Sequence, residues 1–312
     1  MASRREPPRV IPVPCPFGTD GTVYVYYIDA PEPALIDTGV RASPVAVIEP
    51  ALAAAGVRLS EVRWLLATHG HWDHVGGLGA ARQIASQART AIHAADTVLL
   101  RDRARHWDTY LGVRFRYVEA PEALAGTEAL LFENIGGEIG ADRELTDGDR
   151  VDLGGGVVLR AVHTPGHTPG SASYVLDGPD WAFTGDAVQG RGSTSGRFPL
   201  LVDPVAYRAS VRRLRDLQPA RLFLGHQFLG HASAPFPAQV EGPAVADLLR
   251  VSAEMEADIA RATTAGSSSH AATPTLPDIQ RAAALLDDQL PGEPLTWPPA
   301  LFTTLTAYLT RP

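Results

Sequence analysis

The chain has 312 residues, 45% of them hydrophobic, which is enough to bury a large core as one domain or as one domain with an appendage. Its net charge of −8 at pH 7 argues against a surface that coats nucleic acid, so a nucleic-acid partner is not expected. All 27 basic residues are arginine, which excludes Schiff-base lysine chemistry and a P-loop. Cys15 is the single cysteine, which excludes an intrachain disulfide and a cysteine-rich structural zinc site.

Neither a signal peptide nor a membrane span is predicted. Residues 1–10 contain arginine and proline without an apolar core, and nowhere do roughly 18 apolar residues follow one another. We therefore expect a cytoplasmic protein without a membrane partner.

The first hundred residues alternate strand-like and helix-like segments. The strand-like runs lie near residues 10–13, 22–28, 34–36, 64–68 and 90–93. The first three are parted by turn residues and predict an opening β-meander. Helices are predicted at residues 43–55, where Pro44 suits the first turn and Pro50 is a candidate kink, and at residues 78–88.

Residues 101–146 are longer than the strand-helix pattern requires and are interpreted as an insertion. The segment contains several arginines, the aromatic residues Tyr110 and Tyr117, and a glycine-rich stretch. It is a candidate lid or substrate wall, and a plain surface helix is the alternative.

The second half repeats the pattern and then changes. Strands are predicted at 157–162, 173–176, 181–184 and 221–224, with a helix at 204–217. Later helices are predicted at 240–263, 277–290 and 299–310, with a linker at 265–277. We therefore expect a catalytic domain at residues 1–235 and a C-terminal helical extension at 236–312, which could cap a pocket, form a homodimer or stabilise the fold.

The segment from Thr68 to Gly77 sets three histidines and one aspartate within six residues, directly after an apolar run. His69 and His71 are two residues apart, so in extended backbone they point to the same side and can hold one ion. Asp73 and His74 follow where the chain turns. Four ligand-type residues exceed what one open zinc site takes from so short a segment, which favours two metals. The alternative is a histidine-rich surface loop.

Three further ligand-type residues, His167, Asp186 and His226, each follow a short apolar run. With the first motif they give the order His-x-His-x-Asp-His, then His, Asp and His. This order resembles the metallo-β-lactamase superfamily over roughly residues 9–230. The resemblance implies an αβ/βα sandwich, which consists of two mixed β-sheets flanked by helices, with the metals at one edge.

The resemblance also implies the role of each ligand. His69, His71 and His167 would hold one metal, and Asp73, His74 and His226 the other. Asp186 would bridge the two, so Asp73 and Asp186 are the candidate catalytic carboxylates. Asp37 would orient the ligands from behind, with a turn cap as the alternative. The two divalent ions are expected to be zinc, and the same ligand set accepts iron or manganese.

The implied reaction is hydrolysis of an acyl bond by a metal-bound hydroxide. Asp186 stands where lactam-cleaving members with a thiolate ligand have cysteine, so the glyoxalase II, lactonase and thioesterase-like branch is favoured over a β-lactamase. A thiolate leaves without much protonation, which favours a thioester over a lactone or carboxylic ester. The substrate would be a small-molecule or carrier-bound acyl compound.

Four residues are candidate substrate contacts: Tyr110, Tyr117, Arg191 and Arg197. His93 and His163 are interpreted as structural histidines. A nuclease, an iron-dependent sulfur dioxygenase and a non-catalytic metal-binding module are the other classes that the motifs leave open.

Overall fold

The computed structural model describes residues 6–266, 273–286 and 294–310. Within these ranges the chain forms two six-stranded sheets. The strands of the first sheet are β1 (Val10–Phe17), β2 (Gly21–Ile28), β3 (Ala34–Ile36), β4 (Trp64–Leu66), β5 (Arg89–His93) and β6 (Arg143–Leu145). The strands of the second sheet are β7 (Arg150–Asp152), β8 (Val158–His163), β9 (Ala172–Leu176), β10 (Trp181–Gly185), β11 (Arg221–Leu224) and β12 (Gln239–Glu241).

Each sheet mixes parallel and antiparallel neighbours. The first has the order β1-β2-β3-β4-β5-β6, antiparallel as far as β3 and parallel from β3 to β6. The second has the order β12-β11-β10-β9-β8-β7, in which β10 and β11 pair in parallel and the other pairs are antiparallel. The predicted opening meander and the two mixed sheets are both confirmed.

Helices connect and flank the strands of the two sheets. They are α1 (Glu49–Ala54), α2 (Trp72–Val75), α3 (Leu78–Ile84), α4 (Thr97–Arg101), α5 (Ala104–His106), α6 (Pro121–Asn134), α7 (Pro204–Leu217), α8 (Pro243–Gly266), α9 (Leu276–Leu286) and α10 (Pro299–Leu309). Helices α1 and α3 pack against the first sheet, and α7 to α10 pack against the second. The predicted αβ/βα sandwich is therefore confirmed.

The side chains of β2 alternate between two hydrophobic cores, one between the sheets and one under the helices of the first sheet. In β2, Tyr26 and Ile28 point between the sheets, where they pack with Phe183 of the facing sheet. Val25 and Tyr27 point the other way, under the helices of the first sheet. This period of two is what allows a single strand to bury both of its faces.

The helix predicted at residues 43–55 forms in two parts. It begins with a π-helical turn, Pro44–Ile48, and continues as α1. Pro50, which has no backbone N–H to donate to the preceding turn, lies where the π-helical turn changes into α1.

The interpretation of residues 101–146 as an insertion is wrong at its end. Residues 143–145 form β6, which pairs in parallel with β5 and so belongs to the first sheet. The part from residue 101 to residue 134 is helical. Strand β6 has a single buried apolar residue, Leu145, and therefore no apolar run in the sequence, which is why the boundary was misplaced.

The predicted boundary at residue 235 does not separate two cores. Strand β12 lies beyond it and pairs with β11, so the second sheet continues into the C-terminal segment. Helices α8, α9 and α10 share one hydrophobic cluster with α7 and the outer face of that sheet. The C-terminal helices are thus part of the same core as the strands that carry ligands.

The later helix predictions agree with the structure where it describes the chain. Residues 267–272 of the predicted linker and 287–290 of the predicted helix lie outside the described ranges. Among the helices of those ranges, none combines the length and the apolar character needed to cross a membrane.

Candidate metal centre

The seven predicted ligands come together at one edge of the sandwich. They are His69 and His71 after β4, Asp73 and His74 in α2, His167 after β8, Asp186 after β10 and His226 after β11. Strands β8, β10 and β11 run in the same direction, so their C-terminal ends deliver side chains to the same rim. The resemblance implied this gathering, and the common direction of these three strands accounts for His167, Asp186 and His226.

The ligand atoms fall into overlapping groups. Atoms within 4.8 Å of one another come from His69, His71 and His167 in one group and from Asp73, His74 and His226 in a second. These are the two sets that the resemblance implied. A third group, His69, His74 and Asp186, joins them.

Asp186 lies between the two sets. Its Oδ2 is 3.6 Å from Nε2 of His167 on one side and 3.5 Å from Nε2 of His226 on the other. Its Oδ1 is 3.6 Å from Nε2 of His74. One carboxylate thus faces ligands of both groups, which is the position that a bridging ligand needs.

The residues fit divalent cations. Oδ1 of Asp186 is buried and has no hydrogen-bond partner in the described chain, a costly arrangement unless something else pairs with it. Gly225 keeps this space open, because a Cβ there would come within 2.4 Å of the same oxygen. Five imidazoles and two carboxylates are a donor set that suits zinc and its neighbours in the first transition row.

The electrostatics of the ligands also favour a cation. Burial, together with the charge of neighbouring imidazoles, holds the pKa of His69 and of His71 well below the usual range, so both rings are neutral, as metal binding requires. The pKa of His74 is raised to about 10, because three carboxylates around the ring outweigh the effect of burial. These carboxylates belong to Asp37, Asp186 and Asp73.

Asp37 orients two of the histidines. Nδ1 of His74 donates to Oδ2 of Asp37 over 2.8 Å. Nδ1 of His69 lies 3.1 Å from Oγ1 of Thr68, and that hydroxyl donates to Asp37 over 2.8 Å. Both rings therefore turn Nε2 toward the site, in the way that a carboxylate behind a metal-binding histidine fixes its tautomer. The predicted position of Asp37 agrees with this geometry.

Backbone carbonyls orient two further histidines. Nδ1 of His167 donates to the carbonyl of Leu200 over 2.9 Å, and Nδ1 of His226 donates to the carbonyl of Thr22 over 2.7 Å. Each of these rings therefore also presents Nε2. The fixed tautomers reduce the reorganisation that binding a cation would need.

The ligands line a small pocket of about 100 Å³. Tyr110 is part of its wall and stacks on His71, with ring centroids 5.4 Å apart and an interplanar angle of 29°. Burial and the nearby carboxylates of Asp73 and Asp186 raise the pKa of Tyr110, so the phenol keeps its proton at neutral pH. The pocket thus contains a neutral hydrogen-bond donor.

Tyr117, the second predicted substrate contact of this segment, does not line the metal pocket. Its hydroxyl lies 2.9 Å from Oγ1 of Thr306, and its ring stacks on Phe302 of α10. Tyr110 and Tyr117 are seven residues apart and would share a face of a regular α-helix. The chain instead forms a π-helical turn at Trp107–Leu111 and a 3₁₀ turn at Val113–Arg116, which rotates Tyr117 away.

Neither predicted arginine lines the metal pocket. Arg191 and Arg197 line a separate cavity of about 600 Å³ beside it. Arg191 is 3.5 Å from Asp258 of α8.

Asp96 is a residue of the site that was not predicted from the sequence. This buried carboxylate accepts hydrogen bonds from Gly70 N at 2.8 Å, Thr168 Oγ1 at 2.7 Å and Gly170 N at 2.6 Å. It therefore ties the loop of His69 and His71 to the loop of His167. The one feature of the sequence that could have indicated Asp96 is its position just after β5, a strand that ends at the same sheet edge as the ligands.

Gln189 was also missed. Its side-chain amide donates to the carbonyl of Leu200 over 2.9 Å, and its Oε1 accepts from the N–H of the same residue over 2.8 Å. Gln189 thus holds the carbonyl that orients His167. Its place three residues after Asp186 is the only trace in the sequence.

His93 and His163 stack on each other with ring centroids 4.0 Å apart. In the part of the chain that the structure describes, neither belongs to a group of potential metal ligands. Their interpretation as structural histidines agrees with this placement.

Comparison with known proteins adds to this geometry. The chain is 33% identical over 180 residues to a protein of Burkholderia pseudomallei named "Probable metallo-hydrolase", covering 54% of this chain and 53% of that protein. It is 23% identical over 174 residues to the cytoplasmic hydroxyacylglutathione hydrolase of Arabidopsis thaliana, covering 54% and 51%. The chain thus spans about half the length of these curated relatives.

A solved structure supports the whole architecture. A metallo-β-lactamase family protein of Thermus thermophilus superposes with a TM-score of 0.67 at 22% identity, covering 96% of this chain and 91% of that one. The sequence profile of the metallo-β-lactamase superfamily matches residues 18–226, which contain all seven ligands. The chain therefore belongs to the metallo-β-lactamase superfamily.

Proposed function

We propose that this protein is a dinuclear-metal hydrolase, with zinc as the favoured metal, and that it cleaves an acyl bond, in first place a thioester. The observation that carries the proposal is the position of Asp186 between the two groups of ligands. Two divalent cations bound there would lower the pKa of a shared water from ~15.7 toward ~7 and would polarise a carbonyl oxygen.

The residues of the chain would divide the work. His69, His71 and His167 would hold one cation, Asp73, His74 and His226 the other, and Asp186 would contact both. Tyr110 supplies a neutral O–H at the pocket wall, where it can donate to the carbonyl oxygen or to the leaving atom.

Two arguments support a thioester. A hydroxyacylglutathione is a thioester, and a hydrolase named for that substrate is among the relatives. A thiolate also leaves with little protonation, so its departure does not depend on a proton donor in the pocket. The substrate would be a small-molecule or carrier-bound acyl compound.

A lactone or carboxylic ester is the second candidate, and Tyr110 is the observation that favours it. An alkoxide leaving group needs a proton donor, and this phenol lies at the pocket wall. The placement of Tyr110 therefore weakens the sequence-based preference for a thioester without removing it.

The test combines metal analysis with a pair of matched substrates. We expect about two metal ions per chain. We also expect a higher kcat/KM on butanoyl N-acetylcysteamine, a thioester, than on γ-butyrolactone, a lactone with the same number of acyl carbons. A lactone preference of about tenfold, or ~1.4 kcal/mol, would assign the protein to lactones. A single ion in fully active protein would contradict the dinuclear site.

A tyrosine pair tests the role of the phenol. Tyr110→Phe should lower kcat for the lactone by more than it lowers kcat for the thioester, because only the alkoxide depends on a donor. Tyr117→Phe is the matched control, since its hydroxyl bonds to α10 instead of facing the pocket. Equal losses on both substrates in Tyr110→Phe would contradict this role.

A further inference from the structure

The metal pocket is too small to hold a whole substrate. Its volume of about 100 Å³ corresponds to roughly three waters at ~30 Å³ each, which is room for a reacting acyl group and little more. The cavity beside it has a volume of about 600 Å³, within the usual range for small-molecule sites. The remainder of a substrate therefore has a space next to the reacting centre.

One short loop forms the wall between the two spaces. Phe198 lines both of them, Ser193 and Ser195 face the metal pocket, and Thr194 and Arg197 face the larger cavity. The loop is anchored by the N–H of Thr194, which donates to the carbonyl of Gln227, the residue after the ligand His226, over 3.0 Å. The larger cavity is thus attached to the metal centre through a common wall.

The charged groups that line the larger cavity are both cations. Arg191 and Arg197 both line it, and no acidic residue does so among the described residues. Arg191 is already paired with Asp258. Arg197 is exposed, and within the described ranges its guanidinium has no ion pair or hydrogen bond.

The backbone around this cavity is strained. Six non-glycine residues of the described chain have positive φ, and Arg197 (φ 52°), Ala232 (φ 53°) and Ser233 (φ 57°) are three of them. All three line the cavity. A left-handed conformation disfavours side-chain-bearing residues, and such strain concentrates where ligands bind.

The rest of the wall combines apolar side chains, among them Leu229, Met255 and Pro298, with the hydroxyl-bearing residues Thr194, Ser233 and Thr296. An exposed guanidinium without an ion pair, next to apolar side chains, suits a ligand that has a hydrocarbon body and an anionic end. We infer that this cavity binds an anionic group of the substrate, a carboxylate or a phosphate on an apolar chain, and that Arg197 is the residue that recognises it. This inference rests on the proposed acyl hydrolysis.

The kinetic test compares one neutral and two anionic thioesters. Butanoyl N-acetylcysteamine is the neutral substrate, glutaryl N-acetylcysteamine has a carboxylate on the acyl side, and butanoyl phosphopantetheine has a phosphate on the thiol side. We expect at least one anionic substrate to have a kcat/KM tenfold or more above the neutral one. Arg197→Gln should remove this advantage through KM and change the neutral substrate less than twofold.

The matched control is Arg58→Gln. Arg58 is exposed, pairs only loosely with Glu61 at 3.5 Å, and precedes β4 at the end remote from the ligands. It should leave the values for all three substrates unchanged. The inference would be overturned if neither anionic thioester is preferred, or if Arg197→Gln affects the neutral and anionic substrates equally. The better of the two anionic substrates identifies which side of the thioester occupies the cavity.

A binding measurement separates this inference from the proposed function. If the protein hydrolyses none of the thioesters, the proposed activity fails, and titration calorimetry with pentyl phosphate and with hexanoate still tests the cavity. Binding of either probe that weakens at least fivefold in Arg197→Gln supports the site. Absence of binding, or equal binding by the variant, would overturn it.

Discussion

Asp37 acts through two histidines at once, which makes it the most informative single residue outside the ligand set. It has a positive φ of 60°, and its carboxylate accepts from His74 directly and from His69 through Thr68. A neutral amide in its place would keep the shape of the side chain. It would lose the negative charge that makes Nε2 of His69 and of His74 a better electron-pair donor to a metal. A substitution of Asp37 therefore tests how much the orientation of His69 and His74 contributes to metal binding without removing a metal ligand.

We predict that Asp37→Asn weakens metal binding about 10- to 100-fold, the usual effect of removing a carboxylate behind a metal-bound histidine. Competition with a chromophoric chelator measures the affinity. Asp20→Asn, at an exposed turn, is the control and should bind metal as the unaltered protein does. Unchanged affinity in Asp37→Asn would show that Asp37 is only a turn residue.

Asp186→Ala should lower metal content from about two ions per chain to one or fewer and should abolish most of the activity, because this carboxylate faces both ligand groups. His93→Ala is the control, since His93 stacks on His163 instead of facing the ligands. Elemental analysis of both variants measures the difference. Loss of metal in His93→Ala, or full occupancy in Asp186→Ala, would contradict the assignment.

At the scale of elements, helix α10 is connected to the ligand His167 through one loop. Oγ1 of Thr304 donates to the carbonyl of Pro199 over 2.8 Å and accepts from the N–H of Leu201 over 2.8 Å. Between them lies Leu200, whose carbonyl accepts from Nδ1 of His167. The C-terminal helices thus help to orient a predicted metal ligand as well as stabilise the second sheet.

Thr304→Val should destabilise the protein by about 1–3 kcal/mol, because it leaves two buried backbone groups without partners, and it should also weaken metal binding. Thr310→Val, at the exposed end of the same helix, is the matched control. Denaturant unfolding and metal titration measure the two effects. A purely structural role would change stability without changing metal affinity.

The elements also show why the sequence could predict the ligands and not all of their surroundings. Each ligand follows a strand end, and strand ends are visible in short apolar runs. The role of Asp96 depends on hydrogen bonds to backbone groups 26 and 74 residues away, which no local pattern reveals. Tyr117 was misplaced because a π-helical turn interrupts the regular helical period. Strands β6, β7 and β12 were missed because each has a single buried apolar residue, unlike the equally short but fully apolar β3 and β4.

At the scale of the whole molecule, the candidate site couples metal binding to folding. Its side chains come from both sheets, so they meet only when the sandwich has formed, and a bound cation stabilises the folded state alone. In the metal-free protein, the carboxylates around His74 raise its pKa to about 10. The protonated His74 then stabilises the folded state relative to the unfolded state. This contribution is complete below pH ~6.5, where the ring is protonated in both states. It is lost as the pH rises through about 10.

A cation that binds at His74 must displace this proton, and the competition weakens as the pH rises. We therefore predict that added zinc raises the thermal midpoint more at pH 8 than at pH 6, since each displaced proton contributes up to ~1.4 kcal/mol per pH unit. Thermal unfolding with and without zinc at pH 6, 7 and 8 measures the trend. His93→Ala should keep it, because that ring is not among the predicted ligands. A zinc effect independent of pH would mean that no ligand proton is released, and His74 would then be excluded as a metal ligand.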